Sequence, residues 1–445
     1  MKKTLIAVAA AAALATTSAF AEITFGAWVK GVLVPVAYDG VDTKAGLTQS
    51  WGGAARTGAI SINGVTEDEK AGFTFDVRDE AGTGITKGDR SVLWVKPIDM
   101  LKLSVGAFDG PDNGFRQGSG TFGIHNYLRS EATFLHDYFL NGDDAIMDGK
   151  AGDGLIAELT PIEGLKIMAN IPFLSWSGKS DAKLKEIFGG ENEWKVATNV
   201  DVAWVVQKYL SKEESIDGGS LVVVNDAYDV YRYFQLGAAY TIDGIGTAKV
   251  LWTNTDYKVT DGTDDYNYYG NLGVAFDLTA VENLYVAIGV KQTIGDKEAI
   301  DTVASVADNG FRAGTQIAVD ASYNVLDNLT VHAAGGVFIS SWSDIDPVWG
   351  VAVGADYGVL DNVVLNADVR YAGKVKADDE TLYKDAFEFL VGAKYIINSN
   401  ASISAGFEGV TNGWGLKEID AGTKKSGKVY EGLVWAIPVV FELSL

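Results

Sequence analysis

The sequence predicts an all-β fold, a transmembrane antiparallel up-and-down β-barrel of about 18 strands within a range of 16–20. Three observations predict it. Apolar and polar residues alternate with period two over runs of ten or more residues. Beyond the N-terminus no apolar run reaches the roughly 18 residues that a transmembrane helix needs. The composition is rich in Gly (52), Tyr (19), Phe (19) and Trp (11) with only 7 Pro, which suits many strands joined by tight turns.

The first 21 residues, MKKTLIAVAAAAALATTSAFA, join two lysines, a short apolar run and the ending Ala19-Phe20-Ala21. That is the pattern of a secretory signal peptide cleaved after Ala21, and the apolar run is too short for a lasting anchor. The barrel is therefore expected over 22–445. Cysteine is absent, so neither a disulfide framework nor a lipid-modified N-terminal cysteine is available. A net charge of −23 argues against a nucleic-acid partner, where a basic footprint is expected.

Taken along the chain, the strands have separable faces. Phe73, Phe75 and Val77 oppose Thr74, Asp76 and Arg78; Ile317, Val319, Ala321 and Tyr323 oppose Gln316, Asp320 and Ser322. Val363, Leu365, Ala367, Val369 and Tyr371 oppose Asn366, Asp368 and Arg370, and Phe387, Phe389, Val391 and Tyr395 oppose Glu388 and Lys394. In the last strand Leu433, Trp435, Ile437, Val439, Phe441, Leu443 and Leu445 share one face. A soluble sandwich also alternates, but its strands average about five or six residues, whereas a spanning barrel strand needs about 9–11. Only a closed barrel leaves no unpaired sheet edge in hydrocarbon.

Turn signals fall at Glu67, Asp99, Glu163, Asp243, Asn283, Asp327, Asp361 and Asn398. Most read apolar, then Asp/Glu/Asn, often Asn or Gly, then apolar, which suits tight hairpins. The tetrapeptide VLDN begins at both Val325 and Val359, a spacing of 34 that also fits a helical repeat. The period of two and the irregular spacing of the other turns exclude that reading. Tyr240, Tyr323, Tyr357 and Tyr395 lie three or four residues before a turn on the apolar face, as an interfacial girdle would. The opposite strand ends carry long Gly-, Asp- and Lys-rich segments such as DGTDDYNY, KVKADDETLYKD and KEIDAGTKKSGK. Eight short turns with both termini on the same side make 18 strands. The stretch 174–230 is either a long loop or an extra hairpin, which would make 20.

Short turns on one side and long loops on the other resemble the bacterial outer-membrane porins, similar to those of diderm bacteria such as spirochaetes, over all of 22–445. The resemblance implies an outer-membrane location, periplasmic short turns, an aqueous lumen, a homotrimer, and assembly machinery that docks on the last strand. It also implies that the third long loop, 110–152, folds inwards and narrows the pore, so that Arg116, His125, Arg129, Glu131, His136, Asp137, Asp143 and Asp144 set the local field. One departure is the final residue, Leu445, where the family usually ends in an aromatic; Phe441 sits on the same face.

The polar faces nominate a lumen wall of Asp76, Arg78, Lys102, Glu158, Lys166, Lys249, Asp277, Asp320, Asp368, Arg370, Glu388 and Lys394. Both signs are present, so the wall list alone leaves selectivity open. The leading reading is a passive channel for small hydrophilic solutes or ions, a porin; the alternative is a surface-exposed adhesin or structural barrel protein. An enzyme is not expected, because the three histidines, His125, His136 and His332, lie in no nucleophile motif. No cofactor is expected, and no metal, since neither NGDDAIMDGKAGDG nor DGTDDYN has the spacing of a calcium loop.

Overall fold

The alternation becomes a wall. In the computed structural model eighteen strands pair antiparallel in chain order and the last closes on the first, giving the expected strand number. The structure describes residues 22–38, 43–47, 56–80, 84–107, 153–172, 214–215, 222–223, 234–261, 264–295, 314–340, 346–377, 380–383, 385–411 and 432–445.

The strands are β1 (Glu22–Tyr38), β2 (Arg56–Val65), β3 (Ala71–Glu80), β4 (Gly84–Ile98), β5 (Leu101–Ala107) and β6 (Asp153–Ile162). Next come β7 (Leu165–Pro172), β8 (Gln235–Ile242), β9 (Gly246–Asp261), β10 (Asp264–Leu278), β11 (Leu284–Gly295) and β12 (Gly314–Leu326). The circuit ends with β13 (Leu329–Ser340), β14 (Val348–Leu360), β15 (Val363–Ala372), β16 (Ala386–Asn398), β17 (Ala401–Thr411) and β18 (Leu433–Ser444). A short segment, Thr43–Leu47, pairs with the upper part of β1 on the side where β2 pairs with its lower part. At the closure Ala27 and Leu445 exchange two backbone hydrogen bonds, of 2.9 and 2.7 Å.

The extra hairpin considered for 174–230 has no place in the wall. Strand β7 pairs directly with β8 from Asn170↔Gln235 to Leu165↔Tyr240, leaving no edge between them. Within that stretch the described residues form one separate two-residue ladder, Glu214–Ser215 with Val222–Val223. Outside the barrel circuit, Val375–Ala377 and Glu380–Tyr383 make a small hairpin between β15 and β16.

The outer face is apolar and open. Phe25, Leu93, Val353 and Val391 are each more than half exposed, as side chains that meet lipid rather than a protein core must be. On β14 the outward residues run from Trp349 to Val359. Ten residues at ~3.3 Å make about 33 Å along the strand, or about 25 Å in height at a ~40° tilt, the thickness of an outer-membrane apolar band. Tyr240, Tyr323, Tyr357 and Tyr395 stand on this face just above the turns. One outward aliphatic lies below each: Ile242, Val325, Val359 and Ile397. Towards the long-loop end a second set of outward aromatics packs ring to ring, Trp349 with Tyr371 at 5.5 Å, Phe389 with Phe407 at 5.6 Å, and Phe407 with Trp435 at 5.5 Å.

All eight turn signals join consecutive strands, and neighbouring turns are laced together. Gly358 N donates to Asn328 O (2.8 Å) and Asn328 Nδ2 donates to Gly358 O (2.9 Å), so the first VLDN turn clasps the strand just before the second. Ile396 N then donates to Asn362 O of the second VLDN (2.8 Å), and Asn324 N to Asn283 O (2.9 Å). Each turn thus offers a carbonyl to the next strand, extending the ladder past the strand ends. In the turn after β2, Asp68 accepts from Thr66 Oγ1 (2.7 Å) and Lys70 N (3.1 Å), which lowers its carboxyl below the usual range, the Thr66 bond contributing most.

Candidate functional site: the inner wall

Period two sends every second residue inwards, and the register stacks those residues into rows around the barrel. One row runs Asp277, Ala287, Asp320, Ala334, Ala352, Arg370, Glu388, each directly opposite the next. The next runs Ser322, His332, Gly354, Asp368, Leu390, Glu408. Small residues are interspersed among the charged ones, and at Gly354 this lets side chains from strands two apart meet.

Gly354 illustrates this. A Cβ there would collide with the Asp368 carboxylate and lie 2.7 Å from the His332 ring. Its absence lets His332 of β13 meet Asp368 of β15 across β14, with Nε2 3.4 Å from Oδ1. Asp356 Oδ2 lies 3.9 Å from the same nitrogen, while Asp356 Oδ1 accepts a hydrogen bond from Asn366 Nδ2. The His332 side chain is only 2% exposed, so the ring is a buried group of the wall. Ser322 is its register partner, a juxtaposition that residue spacing did not reveal.

The twelve nominated wall residues all lie on this inner face, but burial separates them. Asp76, Arg78, Lys249, Asp277, Asp368, Arg370 and Glu388 are buried, while Lys102, Glu158, Lys166, Asp320 and Lys394 are half-buried. Buried charge is tolerable only when paired. Lys249 Nζ is 2.5 Å from Asp277 Oδ2, Arg90 Nε is 2.8 Å from Asp76 Oδ2, and Arg370 Nη1 is 3.7 Å from Glu388 Oε2. Near the turn end of the wall, Glu158 binds both Lys166 and Lys102, the latter at 3.6 Å. Trp94 stands between Lys96 and Lys102, whose Nζ atoms are 5.5 and 5.4 Å from its ring centre. Arg90, Lys96, Trp94 and Glu442 were missed at the sequence level. Their signal was the same parity, obscured in β4 where the register shifts between Phe75 and Val77.

Amide groups do similar work where the 173–233 stretch leaves and rejoins the wall. Asn170 Nδ2 donates to Gln235 Oε1 at 2.8 Å, and Gln235 Nε2 donates to Thr253 Oγ1 at 3.3 Å, tying β7, β8 and β9.

The strand order also sorts the charges. Lys30, Arg78, Arg90, Lys96, Lys102 and Lys166 lie on the inner parity of β1–β7 with Glu22, Asp76 and Glu158. Asp277, Asp320, Asp356, Asp368, Glu388 and Glu408 lie on β10–β17 with Lys291, Arg370 and Lys394. Among the described residues, one side of the barrel is therefore mainly basic and the facing side mainly acidic. Among them also, no group of three or more His, Asp or Glu is placed to hold a metal ion. The eight nominated loop residues, Arg116, His125, Arg129, Glu131, His136, Asp137, Asp143 and Asp144, lie outside the described residues, as does the segment 1–21.

No protein-family model matches this chain, and no curated protein matches its sequence. Solved structures of similar shape are outer-membrane porins and channels. An anion-selective porin from Comamonas acidovorans is 14% identical, with 95% of this chain and 99% of that one covered and a TM-score of 0.44. OmpF of Salmonella typhi, in complex with daunomycin, is 11% identical with 95% and 97% covered and a TM-score of 0.45. The channel DcaP of Acinetobacter baumannii is 11% identical with the same coverage and a TM-score of 0.41. At this distance the likeness carries no argument about selectivity. The barrel is established by the chain's own pairing.

Proposed function

We propose that the protein is an outer-membrane porin, a passive diffusion channel for small hydrophilic solutes or ions. The observation that carries this reading is the closed 18-strand wall, apolar outside and charged inside, because barrels of 16–18 strands enclose an aqueous channel. The facing basic and acidic sectors would put a field across the path and orient a dipolar solute. Loop 110–152 is the proposed constriction, with Arg116 and Arg129 its principal cations. Tyr240, Tyr323, Tyr357 and Tyr395 are the proposed periplasmic-side girdle, the barrel assembly machinery is proposed to act on β18, and a homotrimer is the proposed assembly. Export through a cleaved signal peptide at 1–21 belongs to the same reading, as does the absence of catalysis.

Purified protein in a planar bilayer is expected to give stepwise, ohmic conductance. A barrel that inserts without conducting would remove the channel and leave the adhesin or structural reading. Reversing Arg116 and Arg129 is expected to shift the reversal potential towards cation permeation; an unchanged potential would place that loop outside the path.

A further inference from the structure

Among the described residues, only Pro35 and Pro438 are prolines well inside barrel strands; Pro97, Pro161, Pro172 and Pro347 sit at strand ends or beside them. These two belong to the first and last strands and face each other across the closing seam. The seam pairs regularly from Trp28↔Ser444 to Leu33↔Val439, then resumes one residue out of step at Val36↔Ile437. Val34 and Ala37 are both buried inwards though three residues apart, which requires one extra residue between them. Pro35 is therefore part of a bulge in β1, set against Pro438 in β18. Neither residue has an N–H: Pro35 leaves the seam without one donor, and Pro438, which shares the parity of Ser444 and so turns its backbone nitrogen towards β17, leaves the other edge of β18 without one.

The other edge of β18 is interrupted at the same height. Its ladder with β17 reaches Ala405↔Val439 and resumes only at Glu408↔Ala436, skipping Gly406 and Phe407. Bulges occur elsewhere, as between Phe75↔Ser91 and Val77↔Lys87, but there every residue keeps its N–H. The gap lies midway along the outward apolar series from Leu433 to Leu443, at the level of acyl chains. Behind it the inner wall is also apolar: Val34, Ala37, Leu390, Ala436 and Val440 form one buried cluster, and Pro438 is fully buried beside them. Lipid outside, a weakened ladder and an apolar inner surface thus coincide at one place.

We propose that the wall parts at the β1–β18 seam beside Pro35, where Pro438 also loosens β18 from β17, and admits a single acyl chain from the bilayer to the inner cluster around Ala436, forming a lateral path for amphiphiles. This goes beyond the channel reading and does not depend on conductance. The chain is free of cysteine, so one introduced thiol reports one position. Ala436→Cys is labelled with bimane, and Ala275→Cys serves as the control, an inward alanine in the other inner apolar cluster behind an unbroken ladder. Each protein is placed in phosphatidylcholine vesicles whose acyl chains carry mid-chain bromine, a contact quencher. Quenching is expected to be several-fold greater at position 436 than at 275. Replacing both prolines with valine restores the two N–H groups and is expected to bring 436 down to the level of 275. Equal quenching at both positions in the parent chain would overturn the proposal, as would quenching at 436 that survives the valine pair. Conductance of the same samples separates the two readings: conducting barrels with equal quenching sink the lateral path alone, and silent barrels with selective quenching sink the channel alone.

Discussion

The inner pair Lys249–Asp277 offers a quantitative test of whether the wall's charges are crosslinks. Lys249 and Asp277 side chains are 8% and 12% exposed, and their charged atoms are 2.5 Å apart. At an effective dielectric of ~20 the gross attraction at that distance is about 6–7 kcal/mol, most of it offset by desolvation. Removing one partner takes the nearest counter-charge from the other in a sheltered site, so Asp277→Asn is expected to cost about 3–5 kcal/mol. Lys249→Met with Asp277→Leu removes both charges and is expected to return stability to within about 1 kcal/mol of the parent, because neither charge is left alone. The contrast is Glu442→Gln, which breaks the half-exposed contacts of Glu442 with Lys30 at 3.5 Å and Lys394 at 3.8 Å and is expected to cost at most about 1 kcal/mol. Urea unfolding of the folded barrel in detergent micelles, followed by tryptophan fluorescence, reads all of these as midpoint shifts at constant slope. If Asp277→Asn shifts the midpoint no more than Glu442→Gln, the pair is not sheltered and the reasoning fails. If the double variant is as unstable as the single one, the loss comes from packing, and the charge argument fails.

Other outcomes follow from local geometry. Gly354→Ala is expected to destabilise the barrel by about 1–3 kcal/mol, because the new methyl displaces His332 from Asp368; the same unfolding assay checks it. Asn283 turns the chain at φ 65°, so Asn283→Val is expected to lose about 1–2 kcal/mol while Asn283→Gly is neutral or better. Thr66→Val removes the main bond that lowers the Asp68 carboxyl, so an NMR titration should find the Asp68 midpoint moved up towards its ordinary value. The sign follows from that depression: the Asp68 contribution to turn stability is present above the unfolded carboxylate pKa and fades as pH falls through the lowered folded value.

The architecture was legible because lipid imposes a rule on single residues. A strand facing hydrocarbon must show an apolar side chain at every second position and pair every backbone group, so parity and turn spacing were enough for fold, faces and strand number. The VLDN repeat is an example: its spacing located two turns, and its local chemistry made them tight. That Asn328 of one repeat clasps Gly358 beside the other is a fact of register, and register depends on the partner strand.

The site was legible only as a list. Parity put Asp368, Arg370 and Glu388 on the inner face, but could not say that Arg370 would pair with Glu388 or that His332 would reach Asp368 over Gly354. Those contacts join residues from strands one or two places apart in the wall, and the alignment of each row comes from the bulges and turns of all the strands between. The two prolines make the same point more sharply. In the sequence Pro35 and Pro438 are 403 positions apart and each reads as an isolated strand proline. Closure brings the first strand against the last, and only then do two missing N–H groups fall at one height on the two edges of β18.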